Sequence, residues 1–265
     1  MIIGDRSVGA IGFGTAPLAF KDVSIDQAVA TIRAAVDSGV GLIDTALAYT
    51  RPGLESFAEA VVAKALAGGI DVLVATKGGH RRAGDAFPVD ARPASLRADC
   101  EVSLRTLGVD TIGLYQLHHV DPRVPLVESV GALEELRTEG KIGMIGLSNV
   151  DIAQIEQARA VGPIVSVQNR LSYGDRDDLA TAEYCGRRGI AYLAYMPLHG
   201  SGDAGAVRAV AERHGVSRER VRLAWLLAQG PHIVALVGAS RPETIADSTA
   251  AASLWLNDDD LRRLG

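Results

Sequence analysis

The sequence predicts an α/β fold: a single (β/α)8 barrel spanning residues 1–265 as one domain, with a short N-terminal hairpin and extra helices near the C-terminus. Three observations lead there. Short apolar runs alternate with amphipathic stretches from end to end of the 265 residues. The apolar runs suited to barrel strands number eight, one per expected βα unit. No Pro/Gly/Ser-rich linker divides the series, and unbroken strand–helix alternation is the pattern of one closed parallel barrel.

The elements follow in order. "MIIGDRSVG" is too short for a βα unit and suits a small hairpin beneath the barrel. Strands are read at 10–14 ("AIGFG"), 42–45 ("LIDT"), 72–77 ("VLVATK") and 112–118 ("IGLYQLH"). Four more follow at 142–148 ("IGMIGLS"), 164–169 ("IVSVQN"), 190–196 ("IAYLAYM") and 233–238 ("IVALVG"). Ser24 to Gln27 and Asp151 to Gln154 have the form of capping boxes, and Ser217 and Asn257 are N-caps for later helices. Gly39, Gly108, Gly140 and Gly189 stand where helices should stop. Residues 201–230 read as two consecutive helices, so one extra helix precedes the last strand. The structural alternative, an open doubly wound sheet, needs a dinucleotide fingerprint after its first strand. Pro17 breaks that glycine spacing in "GFGTAP".

Composition narrows the function classes. Hydrophobic residues at 48% and charged residues at 22% describe a globular protein with ample core. A net charge of -5 argues against nucleic-acid and anionic-membrane partners. Asp5 and Arg6 interrupt any signal-like start, and no stretch is long enough to span a bilayer. Cys100 and Cys185 lie far apart in helical patterns and read as free buried thiols, which fits a cytoplasmic protein.

Strand residues alternate faces, so Asp44 shares a face with Leu42, Lys77 with Leu73 and Ala75, and His118 with Leu114 and Gln116. Three consecutive strands thus end in ionisable groups aimed at the C-terminal mouth, where barrel enzymes keep their chemistry. Ser148, Asn149, Ser166 and Gln168 follow on the next two strands, and Tyr49 stands five residues beyond Asp44. Singly, each has a plain reading: a cap, a snorkelling lysine, a core histidine. Together they suit general acid chemistry. An ammonium beside a phenol favours the phenolate and lowers its pKa, a carboxylate holds the ammonium, and an imidazole orients a carbonyl oxygen. No nucleophile is evident and no cluster is spaced for zinc, so a bound cofactor must supply reducing equivalents.

These residues resemble the aldo-keto reductase family over nearly the whole chain, from "IGFGTAPL" to "GASRPETI". "DSGVGLIDTALAY" is similar to the family's first signature, which implies Asp44 and a proton-donating Tyr49; "VATKGG" supplies Lys77 and "LYQLHHVDP" supplies His118. The resemblance implies a TIM barrel that reduces aldehydes or ketones with NADPH. It places Ser148, Asn149 and Gln168 on the nicotinamide carboxamide and Tyr195 against the ring. The stretch Pro197, Leu198, Gly200, Ser201 and Gly202 would wrap the pyrophosphate. Thr15 and Gly238 join the cofactor set, and Ser240, Arg241 and Ser248 fall in the 2′-phosphate and adenine segment. Many members carry lysine where Gly238 stands, arginine near Thr244 and asparagine at Ser248, so NADPH is the expected cofactor with NADH as a second. The long C-terminal substrate loop of many members has no counterpart after "LNDDDLRRLG", which implies an open site for a small carbonyl substrate.

Within the family, "LYQLHHVDP" and the "KGGH" loop are closest to bacterial pyridoxal-reductase-like members. The loop at 78–93, with His80, Arg81 and Arg82, reads first as a solvated surface loop and second as a rim for a polar or anionic substrate. His119, on the opposite face from His118, is expected to be structural, and Trp225 and Trp255 to pack in the core or between helices. Tyr115 has no evident role, and Tyr173 is placed near enough to line the mouth. The other functional class is a cofactor-binding partner module on the same fold, like potassium-channel β subunits. A docking segment would favour it, and none is evident. The chain is expected to be a monomer or a weak homo-oligomer.

Overall fold

In the computed structural model, which describes residues 1–84 and 86–265, eight parallel strands close into a barrel. A hairpin of β1 (Ile2–Ile3) and β2 (Arg6–Ser7) precedes it. Then come β3 (Ile11–Gly14), α1 (Ala16–Phe20), α2 (Ile25–Asp37), β4 (Leu42–Asp44), α3 (Phe57–Leu66), β5 (Leu73–Gly78) and α4 (Pro93–Leu107). The middle of the chain forms β6 (Ile112–Leu117), α5 (Leu126–Thr138), β7 (Ile142–Ser148), α6 (Ile152–Arg159), β8 (Ile164–Arg170) and α7 (Leu179–Arg187). It ends with β9 (Ala191–Tyr195), α8 (Ala204–His214), α9 (Arg218–Ala228), β10 (Ile233–Gly238), α10 (Glu243–Thr249), a 3-10 turn (Ala250–Ser253) and α11 (Asp258–Leu264). The order around the barrel is β10-β3-β4-β5-β6-β7-β8-β9.

Both faces of each strand are covered, which is why the strands read as near-continuous apolar runs. One face packs on the helices in the larger core. The other meets inside the barrel, where Leu42, Leu73, Ala75, Leu114, Leu193, Val234 and Leu236 cluster. Ile3 and Val8 of the hairpin join that inner cluster, so the hairpin plugs the barrel's N-terminal end. A small residue is required at Gly146 on β7. A Cβ there would stand 2.4 Å from Ser166 Oγ and 2.9 Å from Gln116 Cγ, side chains that already fill the interior at that level. Among the described residues, no helix is long and apolar enough to cross a membrane.

Local signals formed the helices mostly as read. Asp151 and Gln154 make a full capping box, and Asn257 forms one with Asp260. Ser217 accepts from Arg220 N as an N-cap. Ser24 departs from expectation by half: it caps Gln27 N at 3.2 Å, but the Gln27 amide donates to Ser240 O at 2.7 Å instead of returning to the cap. A tertiary acceptor competes with the local one and wins. Trp225 is buried and meets Tyr173 edge to face, whereas Trp255 is 83% exposed, against its expected packing role. Cys100 and Cys185 are free and buried, and burial pushes both thiols up to about 12.

Candidate active site

Register builds the site. β4 pairs Asp44 with Ala75 of β5, and Lys77, one interior position further along β5, sits level with Gln116 of β6. Lys77 is fully buried, and its ammonium spends all three donors. It donates to Asp44 Oδ2 at 2.7 Å, Thr45 O at 2.9 Å and Tyr49 Oη at 3.3 Å. An ammonium has no acceptor, so the Tyr49 oxygen accepts here and its own O–H remains available to the cavity. Asp44 Oδ1 takes Gln168 Nε2 at 2.7 Å and Gln116 Nε2 at 3.2 Å, so the carboxylate is held from three sides. Tyr49 reaches this point through a tight turn after β4, closed by Tyr49 N on Ala46 O at 2.9 Å.

The electrostatics differ in one respect from expectation. Burial of the Tyr49 phenol raises its pKa above 10.0, outweighing Lys77, which pulls it down, while Asp44 adds to the rise. The lysine therefore opposes the shift without reversing it. Burial disfavours the Lys77 charge, but Asp44 and Tyr49 together lift its pKa above 10.5. Burial, with Lys77, His80 and His119 nearby, holds the His118 pKa well below 6.5, so its imidazole is neutral at physiological pH. Its Nδ1 is buried without a hydrogen-bond partner. The Tyr49 and His118 rings meet edge to face at 5.8 Å.

These groups open onto a cavity of about 680 Å³ lined also by Ser148, Asn149, Gln168, Tyr195, Pro197, Leu198 and Gly238, a size typical of small-molecule sites. Asn149 adopts φ 58°, unusual for a side-chain-bearing residue, and its amide is fixed at both ends. Its Nδ2 donates to His118 O at 3.0 Å and Ser148 Oγ at 3.1 Å, and its Oδ1 accepts from Tyr195 Oη at 2.8 Å. Ser148 donates to Gln168 O at 2.9 Å. Met196, at φ 51°, starts the loop after β9. Arg222 of α9 ties that loop down, donating to Leu198 O at 2.8 Å, His199 O at 2.9 Å and Gly200 O.

Other expected cofactor residues stand apart from this cavity. Thr15 is fully buried and donates to Asp44 O at 3.1 Å, so it braces the strand end. Gly200, Ser201 and Gly202 are exposed on the loop beyond the cavity wall. Ser240 and exposed Arg241 precede α10, and Ser248 is buried with its hydroxyl donating to Thr244 O at 3.3 Å. Among the described residues Arg241 makes no ion pair, which leaves its guanidinium open to an anion.

Two expectations about the rim are corrected. His119 is no structural histidine: it lines the cavity and stacks on His118 at 5.3 Å, because the chain turns after β6 and strand parity no longer applies. The 78–93 loop is largely exposed, as first read, while its start also reaches the site, with the His80 ring 4.8 Å from both His118 and His119, Arg81 paired with Asp99, and Arg82 donating to Thr50 O at 2.7 Å. Asp85 in that loop lies outside the described residues. Tyr173 does not line the mouth. It is buried beneath the Gly202 turn, where a Cβ would come 2.5 Å from its ring. The loop also brings three histidines together: one ring nitrogen from each of His80, His118 and His119 lies within 4.8 Å of the others.

Comparison with known proteins agrees with this architecture. A profile of the Aldo/keto reductase family matches residues 10–206 and 203–265. Pyridoxine 4-dehydrogenase of Escherichia coli K12 is 31% identical over 284 residues, covering 99% of this chain and 96% of that protein. An uncharacterized oxidoreductase of Schizosaccharomyces pombe is 30% identical over 272 residues, covering 99% and 87%. The crystal structure of an aldo/keto reductase from Klebsiella pneumoniae in complex with NADP and acetate superposes with a TM-score of 0.85 at 29% identity, covering 99% of this chain and 92% of that one. A glycerol dehydrogenase from Gluconobacter oxydans gives 0.86 at 28%, covering 98% and 91%. With eight parallel strands, a lysine–carboxylate–phenol cluster at their mouth and matches along its whole length, the chain belongs to the aldo/keto reductase family.

Proposed function

We propose that the cavity reduces an aldehyde or ketone to an alcohol, with Tyr49 as the proton donor, Lys77 and Asp44 as its electrostatic support and His118 orienting the carbonyl oxygen. Family membership makes the chain an NAD(P)H-dependent oxidoreductase. The observation that carries the finer assignment is the three-way commitment of Lys77, which leaves the Tyr49 proton directed to the cavity.

The residues present fit a nicotinamide cofactor. Ser148, Asn149 and Gln168 offer hydroxyl and amide groups complementary to a carboxamide, and Tyr195 adds an aromatic ring to the same wall. NADPH, with NADH as a second donor, supplies the hydride when bound, and the relative solved with NADP supports that order of preference. Ser240 and the unpaired Arg241 suit a phosphate group. Within the site, Tyr49 keeps its proton at neutral pH because burial raises its pKa, and Lys77 stabilises the phenolate as that proton leaves. Neutral His118 can donate a hydrogen bond to the carbonyl oxygen without adding a buried charge. Phe20 and Met196 on the cavity wall are each about half exposed, which favours carbonyls carrying an apolar or aromatic group.

The test combines NADPH oxidation across aldehydes, ketones and pyridoxal with thermal shifts for NADPH and NADH. Tyr49→Phe is expected to lower kcat at least about 10²-fold, the usual scale of general acid catalysis, while NADPH still raises Tm. Unchanged kcat in that variant would remove Tyr49 as the acid.

A further inference from the structure

We propose that His80, His118 and His119 form a binding site for a divalent transition metal of the zinc type, and that an ion held there shuts the reductase site. One ring nitrogen from each residue lies within 4.8 Å of the other two. Two of the three rings carry an unsatisfied nitrogen: the Nδ1 atoms of His80 and His118 are buried and have no hydrogen-bond partner. His80 shows how its lone pair is set. Its Nε2 lies 2.6 Å from Phe87 O, a carbonyl that can only accept, so Nε2 carries the proton and Nδ1 is free to ligate. On His119, Nε2 faces the Asn149 amide at 3.3 Å, a long contact that a metal bond outweighs.

Chemistry selects the ion. An all-imidazole set without a carboxylate favours zinc, copper or nickel over magnesium or calcium. A zinc ion at about 2.0–2.1 Å from each nitrogen needs them about 3.4 Å apart, so the rings must close inward. His80, on the loop after β5, can supply that movement. A fourth position would remain for water, as in open zinc sites. The thiols do not compete, because Cys100 and Cys185 are fully buried.

Loss of activity on metal binding rests on the assignment of His118 to the carbonyl oxygen, whereas the site itself does not. The experiment therefore reads binding directly. Zinc is titrated into the NADPH-bound enzyme by calorimetry, cobalt is followed by its visible d–d absorption, and turnover is measured with each metal and after EDTA. Expected results are one high-affinity ion per chain, an intense tetrahedral cobalt spectrum and inhibition that EDTA reverses. His80→Gln and His119→Gln should each raise Kd about tenfold or more and shift the inhibition curve equally, each variant judged against its own metal-free rate. Unchanged Kd and cobalt spectra in both variants overturn the site. Metal binding that depends on His80 but leaves turnover intact upholds the site and removes His118 from the reaction.

Discussion

Replacing Lys77 with methionine removes a buried ammonium while keeping most of its volume. In the proposed reaction the phenolate that develops at Tyr49 then loses a charge 3.3 Å away. At an effective dielectric of about 20, a full unit charge at that distance is worth roughly 5 kcal/mol. Only part of that charge exists at the transition state, and Asp44 opposes the lysine, which leaves about 2–3 kcal/mol, or roughly 30- to 150-fold in rate. Asp44 is also left as a buried carboxylate with only Gln116 and Gln168 as partners, at a cost of about 3–5 kcal/mol in stability. The assay is single-turnover NADPH oxidation at saturating cofactor, with melting measured on the same preparation. The double variant Lys77→Met/Asp44→Asn restores neutrality and is expected to recover stability without recovering rate. A folded single variant within about threefold of the parent rate constant would refute the electrostatic role argued for Lys77.

Other outcomes follow from the same geometry. In the proposed reaction Tyr49 acts protonated, and its raised pKa means that this requirement fails only as pH rises above 10.0; His118 acts neutral, and its depressed pKa means that this fails only well below 6.5. The kcat profile for reduction should therefore be flat between about pH 6.5 and 9, and a slope inside that window contradicts the two directions. Glu59 is buried with Oε1 accepting from Thr76 at 2.6 Å and Oε2 unpartnered, and burial raises its carboxyl above 4.5. A raised carboxyl contributes stability below its unfolded pKa and loses it as pH rises through the folded one. Glu59→Gln should then raise Tm by a few degrees at pH 7, with the gain shrinking toward pH 4, which calorimetry against pH would check. Gly174→Ala places a Cβ 2.5 Å from the Gly200 carbonyl carbon, backbone against backbone. It should push the loop after β9 outward and raise the NADPH Kd about tenfold at little change in kcat, as read by fluorescence titration.

The barrel was legible because buried parallel strands leave uninterrupted apolar runs, so all eight runs correspond to strands in the structure. The convergence of Asp44 and Lys77 followed from alternation, since each continues the inward face of its strand, and His118 reaches the same mouth one residue past the end of β6. Legibility stopped where the chain left the strands. His119 and His80 reach the cavity through turns whose direction no periodicity encodes. Trp255 looked like core by type, yet its position after the 3-10 turn leaves it in solvent. The Tyr49 shift was misjudged because a neighbouring ammonium can be inferred from sequence, whereas the depth of burial that outweighs it cannot. Gln27 shows the same limit, its amide drawn to a carbonyl 213 positions away.

The saturation of Lys77 has a chemical consequence for a site proposed to admit aldehydes. A neutral lysine amine beside a carbonyl condenses to a Schiff base, and such an adduct would stall the enzyme. Here the nitrogen is kept protonated by its raised pKa, each hydrogen is already engaged, and none of the side chain is accessible. With no lone pair to offer, Lys77 is inert as a nucleophile, so a reactive aldehyde entering the barrel would meet a primary amine that cannot condense with it.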